Sequence, residues 1–108
     1  MRDSILIENF LEMMSAERGA AANTIEAYRR DLEETSDFLS SAKQSLIEAD
    51  SNTIRMVIED LSKRGFAASS QARHLSSLRQ FYQFLYAEGY RTDDPTAIVD
   101  GPKRQRTL

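Results

Sequence analysis

The chain carries one histidine, His74, and no cysteine. A lone imidazole cannot assemble a zinc site, which takes several nitrogen or sulfur ligands, so His74 reads as a structural or surface residue. Adjacent acids, Glu33 with Glu34 and Asp93 with Asp94, offer another route to acid–base chemistry, but neighbours in sequence point apart and read as solvated surface. The four glycines, Gly19, Gly65, Gly89 and Gly101, fall one per boundary and form no phosphate loop. The tyrosines lack the surrounding Arg and His cluster that would stabilise a transferred phosphoryl group. No catalytic residue, metal or cofactor is therefore expected in this chain.

Binding chemistry is better represented. Between Asp60 and Glu88 there is no acidic residue, while Lys63, Arg64, Arg73 and Arg79 lie in that interval. Within it, the stretch SSQARHLSSLRQFYQFLY places Ser69, Arg73, Ser76, Gln80 and Gln83 at steps of three or four, a polar stripe flanked by Ser77. Its start lacks the acid that usually complements the positive end of a helix dipole, so free N–H groups beside Ser69, Ser70 and Arg73 would suit an anion. Phosphate is the commonest large anion for such a face, and Ser, Gln and Arg also reach base edges in a major groove. Asn23 and Thr24, followed by Arg29 and Arg30, repeat the arrangement earlier in the chain. The same stripe is equally what the wet side of any helix looks like, and residue types alone do not separate the two readings. For Phe81, Tyr82, Phe84 and Tyr86, helical spacing beside Leu78 and Leu85 favours core packing over base stacking.

With 108 residues, 41% of them hydrophobic, the chain supports one core, and its sparse Gly and Pro favour an all-helical fold. Helix one, with Ile5, Phe10, Leu11, Met13 and Met14 at helical spacings, stops at Gly19. Helix two spans about Thr24 to Ser41, with Asn23 and Glu26 as an N-x-x-E capping box and Ile25, Tyr28, Leu32, Thr35 and Leu39 on one face. Helix three is capped by Asp50 or Ser51, turns Ile54, Val57, Ile58 and Leu61 inward and ends at Gly65. Helix four is capped by Ser69 or Ser70, buries Leu75, Leu78, Tyr82 and Leu85, and closes at Gly89. Four apolar stripes bury one another in a compact bundle.

After Gly89 the composition reads as a linker, in which Pro95 starts one further short turn with Ala97, Ile98 and Val99 packing back. Residues 1–100 are expected to form the domain, and residues 101–108, with Lys103 and Arg104, to begin a basic linker. No apolar run is long enough for a membrane span and the N-terminus carries acids, so a cytoplasmic protein is expected. The net charge of −3 disfavours non-specific nucleic-acid binding. Asp31, Glu33, Glu34, Asp37, Glu48, Asp50, Glu59 and Asp60 nevertheless concentrate the acids, so a polarised surface is expected.

The segments NTIEAYRRDL, SSQARHLSSLRQFYQFLYAEGYRTDDP and GPKRQRTL together resemble the N-terminal core-binding domain of tyrosine recombinases. The resemblance implies a four-helix, SAM-like bundle forming half of a clamp on double-stranded DNA, beside partner recombinase subunits in a tetramer. Carried over by position, the DNA contacts would be Asn23, Thr24, Tyr28, Arg29, Arg30, Ser69, Ser70, Arg73, Ser76, Ser77 and Gln80, with Lys103 and Arg104 in the linker. It implies, too, that the catalytic residues belong to a following domain, and that the reaction needs no metal or nucleotide. A helical protein-interaction module is the competing reading of the same residues.

Overall fold

The computed structural model describes residues 2–99. Among them the elements are α1 (Asp3–Ala16), α2 (Ala22–Ser41), α3 (Ser51–Lys63) and α4 (Ala68–Ala87), with no strand. Helices α2 and α4 pack against each other and each touches both α1 and α3, so this pair forms the centre of an all-α bundle. The expected Lys103 and Arg104 lie outside the described residues.

The apolar stripes meet largely as their periodicity dictates. Phe10, Leu32, Leu39, Ile54, Leu75, Leu78, Phe81, Tyr82 and Leu85 are all fully buried. Phe10 sits at the junction of three helices, edge-on to Tyr28, Phe81 and Phe84 at 5.6, 5.6 and 5.7 Å. The aromatic run on α4 is thus core apart from Tyr86, which is exposed. On α1 the inward face is Leu6, Ile7, Phe10, Leu11 and Met14, whereas Ile5, expected inside, points outward. The adjacent pair Leu6 and Ile7 already fills the inward arc at that turn.

Helix ends correct the sequence reading at two starts and sustain it at the stops. Asp50 caps α3 by accepting from the Thr53 amide at 2.9 Å. That amide, and then the Thr53 hydroxyl, hold the Asp50 carboxyl below its ordinary range. In contrast, α2 starts at Ala22 with Ala21 as its N-cap, and α4 at Ala68 with Ala67 as its N-cap, neither with a side-chain cap. Asn23 therefore lies inside the first turn rather than capping it, and so do Ser69 and Ser70. Alanine extends a helix readily, so each preceding Ala pair joins the helix and carries the polar residues into it. At the other ends, Gly65 (φ 85°) and Gly89 (φ 79°) occupy left-handed conformations that close α3 and α4. Behind them, the Phe66 amide donates to the Leu61 carbonyl and the Tyr90 amide to that of Leu85.

Beyond α4 the chain is not a bare linker. Pro95, Thr96 and Val99 are buried and Tyr90 packs on the core, whereas Ala97 and Ile98, expected to pack back, are exposed. The chain turns at Pro95 without forming a helix, held by the Asp94 carboxylate, which accepts from the Thr96 amide at 2.9 Å. The connection between α2 and α3 is pinned from three sides. Asp3 accepts from the Leu46 amide at 3.0 Å, the buried Tyr82 hydroxyl donates to the Leu46 carbonyl at 2.6 Å, and Arg91 donates to the carbonyls of Ile47 and Ala49. Burial pushes the Tyr82 hydroxyl well above its ordinary value, so it stays a donor throughout the working pH range.

Candidate nucleic-acid interface

Packing of α2 against α4 brings the polar residues at the start of α2 beside those in the second and third turns of α4, and leaves Ser69 and Ser70 outside the shared groove. Asn23, Thr24, Tyr28, Asp31, Arg73, Ser76 and Ser77 line one open groove of about 300 Å³. Asn23, Thr24, Ser69, Arg73 and Ser76 are exposed, Ser70 is half-buried, and Arg30 is exposed with no ion pair among the described residues. Neither helix has an acid or a side-chain cap in its first turn, so no side chain there offsets the positive end of its dipole. Tyr28 serves both readings at once: its ring packs edge-on to Phe10 while it lines the groove.

Three expected contact residues are engaged elsewhere. Arg29 turns toward α1, where Nη1 donates to both carboxylate oxygens of Glu8 at 2.7 and 2.6 Å. That hydrogen bond holds the Glu8 carboxyl below its usual range and raises Arg29. Ser77 is buried and donates to Asp31 Oδ2 at 2.8 Å. Gln80 accepts from Arg18 Nη1 at 2.8 Å. The cationic island is likewise more committed than its composition implies, with Arg64 paired to Asp60 and Arg79 Nη2 donating to the Val99 carbonyl at 2.7 Å.

Asp31, which the sequence places among the surface acids, is 1% exposed beneath the groove. Its carboxylate accepts from Arg73 Nη2 at 3.1 Å and from the Ser77 hydroxyl, and His74 Nδ1 lies 3.7 Å from Oδ1. Thr35 Oγ1 donates to the Asp31 backbone carbonyl at 2.9 Å and meets His74 Nε2 at 2.7 Å. With its own proton spent, Thr35 accepts from Nε2–H, so the neutral ring is the Nε2 tautomer and Nδ1 has no hydrogen-bond partner. Burial pushes the imidazole below its ordinary value, opposed by Asp31 and Glu34 and assisted by Arg73 and Arg64. The contact with Asp31 is therefore not an ion pair near neutral pH. Nothing in the spacing of His74 or Asp31 marks this network, because its members meet only across the α2–α4 contact.

A pH dependence follows. The unfolded chain protonates His74 near pH 6.5, above the folded state, so it binds more protons and stability falls as pH drops below about 6.5. The slope cannot exceed one proton's worth, about 1.4 kcal/mol per pH unit. Urea midpoints between pH 7.5 and 5.5 should decline in the parent chain and flatten in His74→Gln. An equal decline in both would remove His74 from the account.

Among the described residues, no group of three or more acids or histidines is placed to hold a metal, and no helix is long and apolar enough to cross a membrane. The described residues thus form a four-helix bundle with an open groove between α2 and α4. Residues 7–89 match the phage integrase N-terminal SAM-like domain, and the chain belongs to that family. It is 58% identical over all of its length to the tyrosine recombinase XerD of Brucella suis, covering 35% of that protein. It is 61% identical over 94% of its length to the XerD of Rhizobium meliloti, and 48% identical over 92% to that of Caulobacter vibrioides. The chain thus spans about a third of the curated relatives it matches: 33% of the second and 32% of the third.

Proposed function

We infer that the chain is the DNA-binding domain of a XerD-like site-specific recombinase. It grips one side of double-stranded DNA while the rest of the recombinase cleaves through a 3′-phosphotyrosyl link. Strand exchange in DNA integration and chromosome dimer resolution, within a tetramer that includes partner recombinase subunits of the XerC type, is the setting this reading gives it. The reaction requires neither a metal nor a nucleotide cofactor. The observation that carries the reading is the α2–α4 groove, where Asn23 and Thr24, in the uncapped and acid-free first turn of α2, meet Arg73 and Ser76 from the second and third turns of α4. Backbone amides, hydroxyls and guanidinium groups are the donors that phosphates accept from. Arg30 adds an exposed cation on α2, whereas Ser77 braces Asp31 beneath the groove and Arg29 is turned to Glu8 on α1.

An amide-shift titration with a random-sequence duplex at low and moderate salt tests this. Shifts are expected at residues 22–30 and 68–76, weakening with salt by a slope of roughly 0.9 per neutralised phosphate. Replacing both Arg30 and Arg73 with Ala should weaken binding by about thirtyfold, as expected for two solvent-exposed ionic contacts of about 1 kcal/mol each, with the helical fold retained. Shifts confined to α1 and α3, or insensitive to salt, would overturn the DNA-clamp reading.

A further inference from the structure

We propose that Asp31 is a positioning residue of this face, its buried carboxylate holding the Arg73 guanidinium at the mouth of the α2–α4 groove for presentation to a phosphate. The proposal rests on the DNA-binding reading and adds a specific device to it. An ionised carboxylate that is 1% exposed is costly to bury, and pairs of this kind are weak sources of stability. Asp31 receives one donor from below the surface, Ser77, and one from Arg73, whose side chain is 45% exposed. The ion pair therefore straddles the surface, with the acid beneath and the cation above.

A guanidinium has five N–H donors in a rigid fork. Asp31 accepts from one terminal nitrogen of Arg73, Nη2, and the groove-lining Asn23, Thr24 and Ser76 lie around the same opening. An arginine anchored through one nitrogen keeps its other donors and loses the rotamer freedom that phosphate binding would otherwise have to remove. The second anchor does not use the Arg73 side chain: Ser77 donates to Oδ2 at 2.8 Å, with the Arg73 backbone carbonyl a longer 3.3 Å away, while the guanidinium takes Oδ1, so each carboxylate oxygen has a defined partner. His74, beside Oδ1 with a bare Nδ1, supplies no competing donor in its neutral form.

The test is a double-mutant cycle on duplex affinity, using this chain and a fluorescent random-sequence duplex at low salt. Asp31→Asn keeps the shape and removes the charge that holds Arg73. It should weaken binding about fivefold to tenfold, the scale of the ordering cost of one rotamer-rich side chain. In an Arg73→Ala background the same substitution should have no further effect, a coupling that a merely structural role would not produce. Equal losses in both backgrounds, or tighter binding by Asp31→Asn, would overturn the positioning role while leaving DNA binding intact. Absence of binding by the parent chain would instead remove the DNA reading and this inference with it. If Asp31→Asn loses its amide dispersion, Ser77→Ala, which frees the carboxylate without removing it, decides the matter in the same cycle. Its loss must vanish with Arg73→Ala, or the proposal fails.

Discussion

Phe10→Ala is expected to destabilise the chain by about 4 kcal/mol, the middle of the range for truncating a buried phenylalanine. Phe10 is fully buried and meets Tyr28, Phe81 and Phe84 edge-on, so its removal opens a cavity that rings from two other helices border. Three rigid rings cannot collapse into the space as a flexible methionine could, which keeps the cavity term large. For a domain of this size the loss corresponds to a fall in melting temperature on the order of 20 °C. Urea unfolding followed by far-ultraviolet dichroism measures it, and a loss below about 1.5 kcal/mol would mean the junction relaxes. The effect reaches the groove as well, because Tyr28 packs on Phe10 from the side that lines it. Loosened amide shifts around residues 24–31 should accompany the lost stability.

Arg91→Ala is expected to cost about 3 kcal/mol, from two charge-assisted hydrogen bonds and the packing of a nearly buried guanidinium. Its Nη1 donates to the carbonyls of Ile47 at 3.1 Å and Ala49 at 2.6 Å, and the guanidinium lies 5.4 Å from the centre of the Tyr82 ring. Asp93 accepts from Nε and Nη2 at 3.1 and 3.2 Å, which orients the fork, although that carboxylate is largely exposed and contributes little by itself. Truncation would strip both carbonyls of a charged donor and leave the α2–α3 connection held by Asp3 and Tyr82 at Leu46 alone. Arg91→Lys, with a single compact ammonium, should recover about half the loss. Hydrogen exchange at residues 44–50 should accelerate in Arg91→Ala, and unchanged protection there would refute the clamp.

Arg91 also shows where reading along the chain fails. The segment after Gly89 has a linker's composition, with both prolines and several charges, yet Arg91 reaches back more than forty positions to close a loop. Arg29 and Arg30 make the same point on a smaller scale. They are chemically identical neighbours, but a helix turns about 100° between them, and only the placement of α1 decides that Arg29 meets Glu8. Asp31 reads as one more surface acid because burial of a carboxylate depends on donors that α4 delivers, Arg73 and Ser77.

By itself the sequence determined the four helices, the glycine stops that follow α1, α3 and α4, the Asp50 cap and most of the core, because apolar periodicity and left-handed closing residues act over a few positions. It also carried the family, through motifs that survive as residue identities and spacings. Tertiary structure alone decided which polar residues face the groove, which ones brace it, and that the first turn of α2 lies across the second and third turns of α4. Those outcomes depend on partners 21 to 62 residues away, and no local pattern encodes the docking angle that brings one side chain within hydrogen-bond distance of another.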